Sequence, residues 1–263
     1  MKIFLIVLLL FCINANAQNT VFKSFRGATT YGPYSSKKNV DVFNPKYQIL
    51  IHEPFIYGQG VDGQIGYGLR GISVSGGLFS VWSYLDANAV GVVLLITGTT
   101  SGGGSIVRTQ YEALGNLGIK QVFAVRAMVA SAPDSDFVRI GLGDATSPSG
   151  AITDGLWFEM DNRTNNAQTN WFVKTSKGGS VTSVDTGVSD HLKWHWFEIV
   201  YDDKEAKFFI DGNSVATITT NIPTTQSELF GITISALTGD NSDMRVRLDE
   251  LFYLVQRVDK TSN

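Results

Sequence analysis

The stretch "FFIDGNSVATITTNIP", residues 208–223, decides the fold class, because it reads as two short strands joined by a tight turn. Within it, either the Asp-Gly or the Gly-Asn pair of residues 211–213 can supply the positive φ angles of a primed hairpin turn. Phe209 and Val215 fall where a cross-strand apolar pair would form, and Pro223 ends the second strand because it has no N–H to donate. Turn chemistry and packing account for every residue here, so we interpret the hairpin as scaffold.

Eight further runs of β-branched and aromatic residues lie on either side of this hairpin, and none repeats its apolar residues at a sustained helical spacing. The runs begin at Gly91, Gln121, Asp136, Gly155, Asn170, Trp194, Leu229 and Met244. Nine such runs separated by turns, the hairpin counted as one of them, are typical of an antiparallel sandwich or barrel. The sequence therefore predicts an all-β fold.

Alternation assigns the faces of two of these strands, because successive side chains of a strand point to opposite sides of its sheet. In the run from Trp194, the odd-numbered residues up to Tyr201 share one face and the even-numbered residues share the other. In the run from Val246, the even-numbered residues up to Leu254 share one face. Apolar groups occur on both faces of both runs, which indicates sheets that are covered on both sides.

The first 17 residues, "MKIFLIVLLLFCINANA", combine one lysine, an apolar run and a small-residue ending. This is the pattern of a secretory signal peptide, and the run is shorter than the roughly 20 apolar residues that span a bilayer. We therefore expect export to the periplasm, the extracellular space or the cell surface after signal cleavage, with no membrane span.

Domain boundaries follow from composition. Residues 18–52 are rich in Gly, Ser, Thr and Pro and are predicted to form an N-terminal arm. Residues 53–257 are predicted to form a single β-sandwich domain, and residues 258–263 a tail.

Cysteine content and charge narrow the classes of partner. Cys12 is the only cysteine and leaves with the signal peptide, so the exported chain has no disulfide and no cysteine nucleophile or ligand. Without Lys2, 20 of the 21 basic side chains remain against 24 acidic ones, a formal charge of −4. Neither this balance nor any cluster of Lys or Arg favours nucleic acid or an anionic membrane surface.

Ordered motifs between Glu53 and Val255 carry a family resemblance. They are "VGVVLLITGTTSGG", "FVRIGLGD", "DGLWFEMDN", "WHWFEIVYDDKEAKFFIDGNSVATITTNIP" and the closing strand "LDELFYLV". In this order they resemble the concanavalin A-like jelly-roll domains of the lectin and glucanase fold, especially a version common in phage virion and tail proteins. The resemblance implies an antiparallel β-sandwich of jelly-roll type. The fold hosts binding modules, hydrolases, lyases and structural shell domains, so it leaves the function open.

Catalytic candidates follow from the resemblance to glucanases, which place carboxylates on one strand as Glu-x-Asp-x-Glu. Glu159 and Asp161 match the first two positions, and Arg163 stands at the third. A retaining hydrolase needs two carboxyl groups about 5 to 5.5 Å apart with distinct acid and nucleophile roles. The alternative is that Glu159 and Asp161 are polar residues on a solvent-facing edge, and no cofactor is required in either case.

A structural calcium ion is a second expectation from the resemblance, since jelly rolls of this type often hold one near the closing strand. Asp240, Asp243 and Asp249 offer carboxylate oxygens there, which calcium prefers. A solvated loop is the alternative.

A glycan-binding site would place aromatic rings beside side-chain amides and carboxylates. The candidates are Trp157, Asn170, Trp171, Trp196 and Glu198. The alternative is that these rings are core or face-covering aromatics, which large sandwiches need.

The sequence thus favours a non-catalytic exported or virion-surface module that binds glycans or packs structurally. A secreted polysaccharide-cleaving enzyme of the same fold, glucanase-like or lyase-like, is the alternative. The expected partner is a glycan or cell-surface polysaccharide, joined in a virion or surface assembly by other subunits.

Overall fold

The fold is a sandwich of two eight-stranded antiparallel sheets. The computed structural model describes residues 47–53, 64–65, 69–74, 77–82, 92–109, 120–131, 136–163, 168–189, 192–224, 231–239 and 243–256. The predicted signal peptide, residues 18–46 of the predicted arm and the predicted tail lie outside them. All regular structure in the described part of the chain is β-strand, so the all-β prediction is confirmed. No described segment forms a helix that could cross a membrane.

Sheet A holds the hairpin of the stretch 208–223 at one edge. In spatial order its strands are β14 (Asn213–Ile218), β13 (Ala206–Ile210), β12 (His195–Tyr201), β7 (Gln121–Ser131), β16 (Arg245–Gln256), β5 (Val92–Ile96) and β4 (Leu78–Trp82), and β1 (Tyr47–Glu53) also pairs with β16. Because β1 begins at Tyr47, sheet A extends into the stretch that composition assigned to the arm, ahead of the expected boundary at residue 53.

Sheet B consists mainly of strands that follow one another in the chain. In spatial order they are β11 (Ser180–Asp185), β10 (Phe172–Lys177), β9 (Gly155–Asp161), β8 (Asp136–Gly143), β15 (Gly231–Thr238), β6 (Gly104–Thr109), β3 (Leu69–Val74) and β2 (Gln64–Ile65). The run β8 to β11 is a meander whose four strands present one continuous outer face.

The main core lies between the sheets and is built from alternate residues of both. In β12, Phe197, Ile199 and Tyr201 face this core, while Trp196 and Val200 join a separate apolar cluster on the outer face of sheet A. The predicted alternation of β12 is therefore confirmed. Both faces of sheet A carry buried apolar side chains. Burying one such side chain contributes about 1.5 to 3 kcal/mol to the stability of the fold.

The hairpin of β13 and β14 turns at the Asp-Gly pair. Asp211 has a φ of 51° and Gly212 a φ of 75°, which are the positive values that a primed turn requires. The Asp211 carboxylate also hydrogen-bonds Nδ1 of His195 at 2.7 Å and accepts the backbone N–H of Trp196 at 2.9 Å. The turn residue therefore ties the hairpin to the neighbouring strand β12.

The predicted Phe209–Val215 pair does not form. Phe209 lies opposite Ser214, and a β-bulge follows between Phe208 and Phe209. Val215 packs against the main core, whereas Phe209 packs on the outer-face cluster of sheet A. An extra residue in one strand shifts the side chains beyond it to the other face, so strict alternation fails here.

Candidate functional site

The outer face of sheet B gathers most of the polar chemistry of the described residues. Two strand pairings place Arg139 on β8, Glu159 on β9 and Phe172 on β10 in one row across the face. The next row holds Trp157 and then Lys174. Core residues such as Val138, Phe158 and Val173 alternate with them, so these side chains point away from the core.

A segment between β8 and β9, residues 144–154 and here named the strap, folds back over part of this face. The Arg108 guanidinium donates from Nη1 to the carbonyl of Ala145 at 3.4 Å, and the Arg139 guanidinium donates from Nη1 to the carbonyl of Gly150 at 2.5 Å. Ile152 and Trp157 pack together in a small apolar cluster under the strap. The strap therefore covers the part of the face nearest β6 and β15.

Glu159 is the centre of a buried charge cluster. Its Oε2 accepts from Nε of Arg139 at 3.1 Å and from Nε1 of Trp157 at 3.0 Å, and its Oε1 accepts from the Lys174 ammonium. Only 4% of the Glu159 side chain is exposed, against 13% for Arg139 and 17% for Lys174. One carboxylate thus holds two cations that come from the strands on either side of it.

This environment favours the charged form of Glu159. Burial alone would raise the pKa of Glu159, but the hydrogen bond and charge of Lys174, the charge of Arg139 and the hydrogen bond from Trp157 outweigh it and hold that pKa below its ordinary value. A general acid in glycoside hydrolysis needs the opposite shift. Glu159 is therefore suited to holding cations rather than to donating a proton.

Asp161 is also neutralised by a cation. Its carboxylate accepts Nε and Nη2 of Arg163, each at 2.8 Å, in a two-bond fork. The guanidinium groups of Arg163 and Arg139 lie 4.4 and 4.3 Å from the ring centre of Phe137. The interpretation of Glu159 and Asp161 as solvent-facing edge residues is wrong, because both are 3% exposed and β9 pairs with a strand on each side.

The open part of the face lies beside β11 and carries a half-buried aromatic ring, Phe172. Directly opposite Phe172 on the edge strand is the exposed Asp185, and the Asn170 amide donates to both Asp185 carboxylate oxygens at 3.0 and 3.1 Å. Ser183, exposed and opposite Lys174, completes the border. We name these five residues the Phe172 platform. A ring bordered by hydroxyl, amide, carboxylate and ammonium groups can pack on the apolar face of a sugar and bind its hydroxyls.

The predicted glycan-binding residues divide among four places. Asn170 belongs to the platform, and Trp157 is buried under the strap beside Glu159. Trp171 is 1% exposed in the main core, where its ring meets Phe197 at 4.7 Å.

The remaining two candidates lie on the opposite side of the sandwich. Trp196 packs against Phe252 with ring centres 6.3 Å apart on the outer face of sheet A, and Glu198 is buried on that same face. The five candidates therefore do not form one site.

Of the five platform residues only Asn170 was predicted from the sequence, and the central ring, Phe172, was missed. It follows Trp171 directly in "NWFVKTS", so strand alternation requires one ring to face the core and the other to face outward. Val173 and Thr175 share the face of Trp171, and Lys174 shares the face of Phe172. The lysine on the face of Phe172, against the valine on the face of Trp171, was the available sign that Phe172 faces outward.

The proposed calcium ligands are not brought together in the described residues. Asp243 forms an ion pair with Arg245 at 2.9 Å, and Asp249 forms one with Arg126 at 2.5 Å on the outer face of sheet A. Asp243 lies just before β16 and Asp249 lies within it, and each carboxylate is engaged by a different arginine, so the two do not share one ion site. Asp240 lies outside the described residues. In the described ranges, no three His, Cys, Asp or Glu side chains are grouped so that they could hold a metal.

Solved structures share this fold over most of the chain. A protein of unknown function, SO2946 from Shewanella oneidensis MR-1, is 12% identical with a TM-score of 0.54, covering 81% of this chain and 89% of its own. The carbohydrate recognition domain of Emp47p is 11% identical with a TM-score of 0.53, covering 78% and 94%. The carbohydrate esterase vb_24B_21 from the Shiga toxin-encoding bacteriophage phi24B is 15% identical with a TM-score of 0.50, covering 80% and 100%.

These likenesses establish the fold. The chain has the concanavalin A-like jelly roll that the sequence motifs implied, and a bacteriophage protein is among the structures that share it. A comparison with curated protein sequences gave no match. The model of one family, described as SO2946-like, C-terminal domain, matches residues 88–249, which include every strand from β5 to β15. The chain therefore belongs to the SO2946-like family through that domain.

Proposed function

We propose that this chain is a non-catalytic module that binds a carbohydrate on the Phe172 platform. The observation that carries the proposal is the half-buried Phe172 ring on the part of the outer face of sheet B beside β11, bordered by Asn170, Lys174, Ser183 and Asp185. Aromatic rings with polar borders suit pyranoses, whose faces are apolar and whose rims carry hydroxyls. The sharing of this fold by a carbohydrate recognition domain and a carbohydrate esterase supports a carbohydrate as the ligand.

The non-catalytic part of the proposal rests on the carboxylates. Glu159 holds two cations and has a lowered pKa, and Asp161 is held in a fork by Arg163. Neither is placed to protonate a leaving group.

A polysaccharide-cleaving enzyme is the alternative, since an esterase has the same fold. Purified protein should be incubated with β-glucans, alginates and bacterial surface polysaccharides, followed by assays for new reducing ends and unsaturated products. We expect neither. Product release by wild type that disappears in Glu159→Gln protein shown to be folded by circular dichroism would establish the enzyme and overturn the non-catalytic proposal.

Replacing Phe172 with alanine is expected to weaken glycan binding about tenfold, since an aromatic contact is worth about 1.5 kcal/mol and each 1.4 kcal/mol is one factor of ten. Affinity for the best ligand of a glycan array should be measured by calorimetry. Phe209→Ala is the matched control, because Phe209 is equally half-buried but lies on the outer face of sheet A. Equal losses in both variants would argue against the platform.

We further propose that the module is exported and works at a cell or virion surface, where it contacts a surface polysaccharide or the other subunits of an assembly. The signal-like first 17 residues support export. Mass spectrometry of the protein secreted from its native host should find a mature N-terminus at Gln18. A protein that binds no glycan on the array, and whose gene lies among capsid and tail genes, would favour a purely structural role.

A further inference from the structure

The charge cluster around Glu159 contains one more cation than anions. Arg139, Lys174 and Arg163 supply three positive charges there, and Glu159 and Asp161 supply two negative ones. Two further charged groups lie outside this cluster, on opposite sides of it. Arg108 lies under the strap, and Asp185 lies at the open edge.

The cations of this cluster also keep hydrogen-bond donors that the described residues do not use. The Lys174 ammonium has three protons and donates to Glu159 alone. Arg139 donates through Nε and Nη1, and Arg163 through its backbone N–H, Nε and Nη2, which leaves one terminal nitrogen of each guanidinium without an acceptor in the described part of the chain. Glu159 in contrast already accepts three bonds. The cluster therefore has spare donors and one spare positive charge.

The spare charge is close to the aromatic ring. Lys174 is two residues beyond Phe172 on the same face of β10, which places the two Cα atoms about 6.5 to 7 Å apart. A pyranose packed on the Phe172 ring can direct a carboxylate on its ring toward the Lys174 ammonium. Glu159 occupies the inner side of that ammonium, so the ligand's carboxylate would approach from solvent.

Partial burial makes such a contact favour a charged ligand over a neutral one. At 13% and 17% exposure, Arg139 and Lys174 are reachable from solvent yet less screened than surface cations. Burial lowers the pKa of Arg139 from its ordinary value, and the charge and hydrogen bond of Glu159 oppose this shift. An additional anion beside the cluster would stabilise it.

We propose that the ligand of the Phe172 platform is an acidic polysaccharide, with a uronic acid carboxylate bound by Lys174 and Arg139. This inference rests on the proposed carbohydrate-binding function and specifies its ligand class. Lys174 is then a specificity-determining residue, and Phe172 a general contact for the sugar ring.

The test compares oligomers of glucuronic acid with the same oligomers after chemical reduction of their carboxyl groups to alcohols. Wild-type protein should bind the acidic oligomers about tenfold more tightly at low salt, and the difference should shrink as salt rises. Lys174→Gln should weaken binding of the acidic oligomers about tenfold, toward the level of the reduced ones, and weaken binding of the reduced ones much less. Lys174→Arg, which keeps the charge, should restore the preference.

Two controls separate failure of this inference from failure of the proposed function. Lys207→Gln removes an exposed lysine that pairs with Glu205 on sheet A, and it should bind both ligands as wild type does. Equal affinity of wild type for both oligomers, with Phe172→Ala weakening both, would overturn the acidic ligand and keep the platform. If folded wild-type protein binds neither oligomer and no glycan on the array, both proposals are overturned.

Discussion

Replacing Glu159 with glutamine is expected to lower the free energy of unfolding by about 3 kcal/mol or more at neutral pH. The substitution keeps the size of the side chain but leaves the partly buried cations of Arg139 and Lys174 without their shared carboxylate. Removing one partner of a buried ion pair typically costs about 3 to 5 kcal/mol. Denaturant unfolding of both proteins, followed by tryptophan fluorescence, measures the difference.

Glu205→Gln is the matched control for this prediction. Glu205 also pairs with a lysine, Lys207, but both side chains are well exposed. Exposed pairs contribute at most about 1 kcal/mol, so this variant should remain close to wild type. Similar losses in the two variants would contradict the importance that we assign to the buried cluster.

Glu159→Gln should also change how the free energy of unfolding depends on pH. The pKa of Glu159 in the folded protein lies below its ordinary value of 4.5, so folding favours the ionised carboxylate. Its contribution is therefore fully present above pH 4.5 and is lost as the pH falls below that value toward the folded pKa. Wild type should lose stability faster than Glu159→Gln over this acid range. Parallel curves for the two proteins would show that the carboxylate is not held in its charged form.

Replacing Phe158 with alanine should lower the free energy of unfolding by about 3 to 5 kcal/mol, because the truncation leaves a cavity between the sheets. Phe158 is fully buried, and its ring lies edge-on to Phe197 at 5.0 Å and to Phe208 at 5.4 Å. These contacts join sheet B to two strands of sheet A. The melting temperature should fall by roughly 10 °C, at about 2 to 4 °C per kcal/mol for a domain of this size.

Phe172→Ala serves as the comparison within sheet B. Phe172 is half-buried and faces outward from β10, so its truncation leaves no enclosed cavity. When the melting temperatures of both variants are measured by calorimetry, we expect Phe172→Ala to show a clearly smaller fall than Phe158→Ala. A loss of equal size would mean that the outer face of sheet B is as tightly packed as the core.

Strands with strong apolar or aromatic composition could be predicted from the sequence. The run from Gln121 became β7, and the run from Gly155 became β9. β11, "SVTSVD", was missed because it is exposed along almost its whole length. Such an edge strand is held by backbone hydrogen bonds to β10, so its side chains carry little of the signal by which strands are recognised.

Faces could be predicted only up to the first irregularity of a strand. In β16, Val246 and Leu248 face the core, but the register with β7 shifts between Leu248 and Glu250. Leu251 and Tyr253 face the core beyond this shift, whereas Phe252 was predicted to share the face of Val246. One extra residue reverses every later side chain, and no local pattern in "RLDEL" announces it.

The charge cluster was beyond prediction because it depends on register between strands. Arg139, Glu159 and Lys174 are separated by 20 and 15 residues in the chain and meet only because β8, β9 and β10 align them. The spacing of Glu159 and Asp161 suggested a catalytic pair when read along one strand. Read across three strands, the neighbours of Glu159 are cations.

The position of β16 governs when sheet A can assemble. β16 comes last among the described strands, yet it lies in the middle of sheet A, between β7 on one side and β5 and β1 on the other. Its pairing with β1 joins Tyr47 to Gln256, across nearly the whole chain. Before β16 leaves the ribosome, the described strands of sheet A form three unjoined parts, which are β14 to β7, the pair of β5 and β4, and β1. Sheet A is therefore completed only once β16 is available, and we expect folding to be slow, since contacts of such long sequence separation delay the transition state.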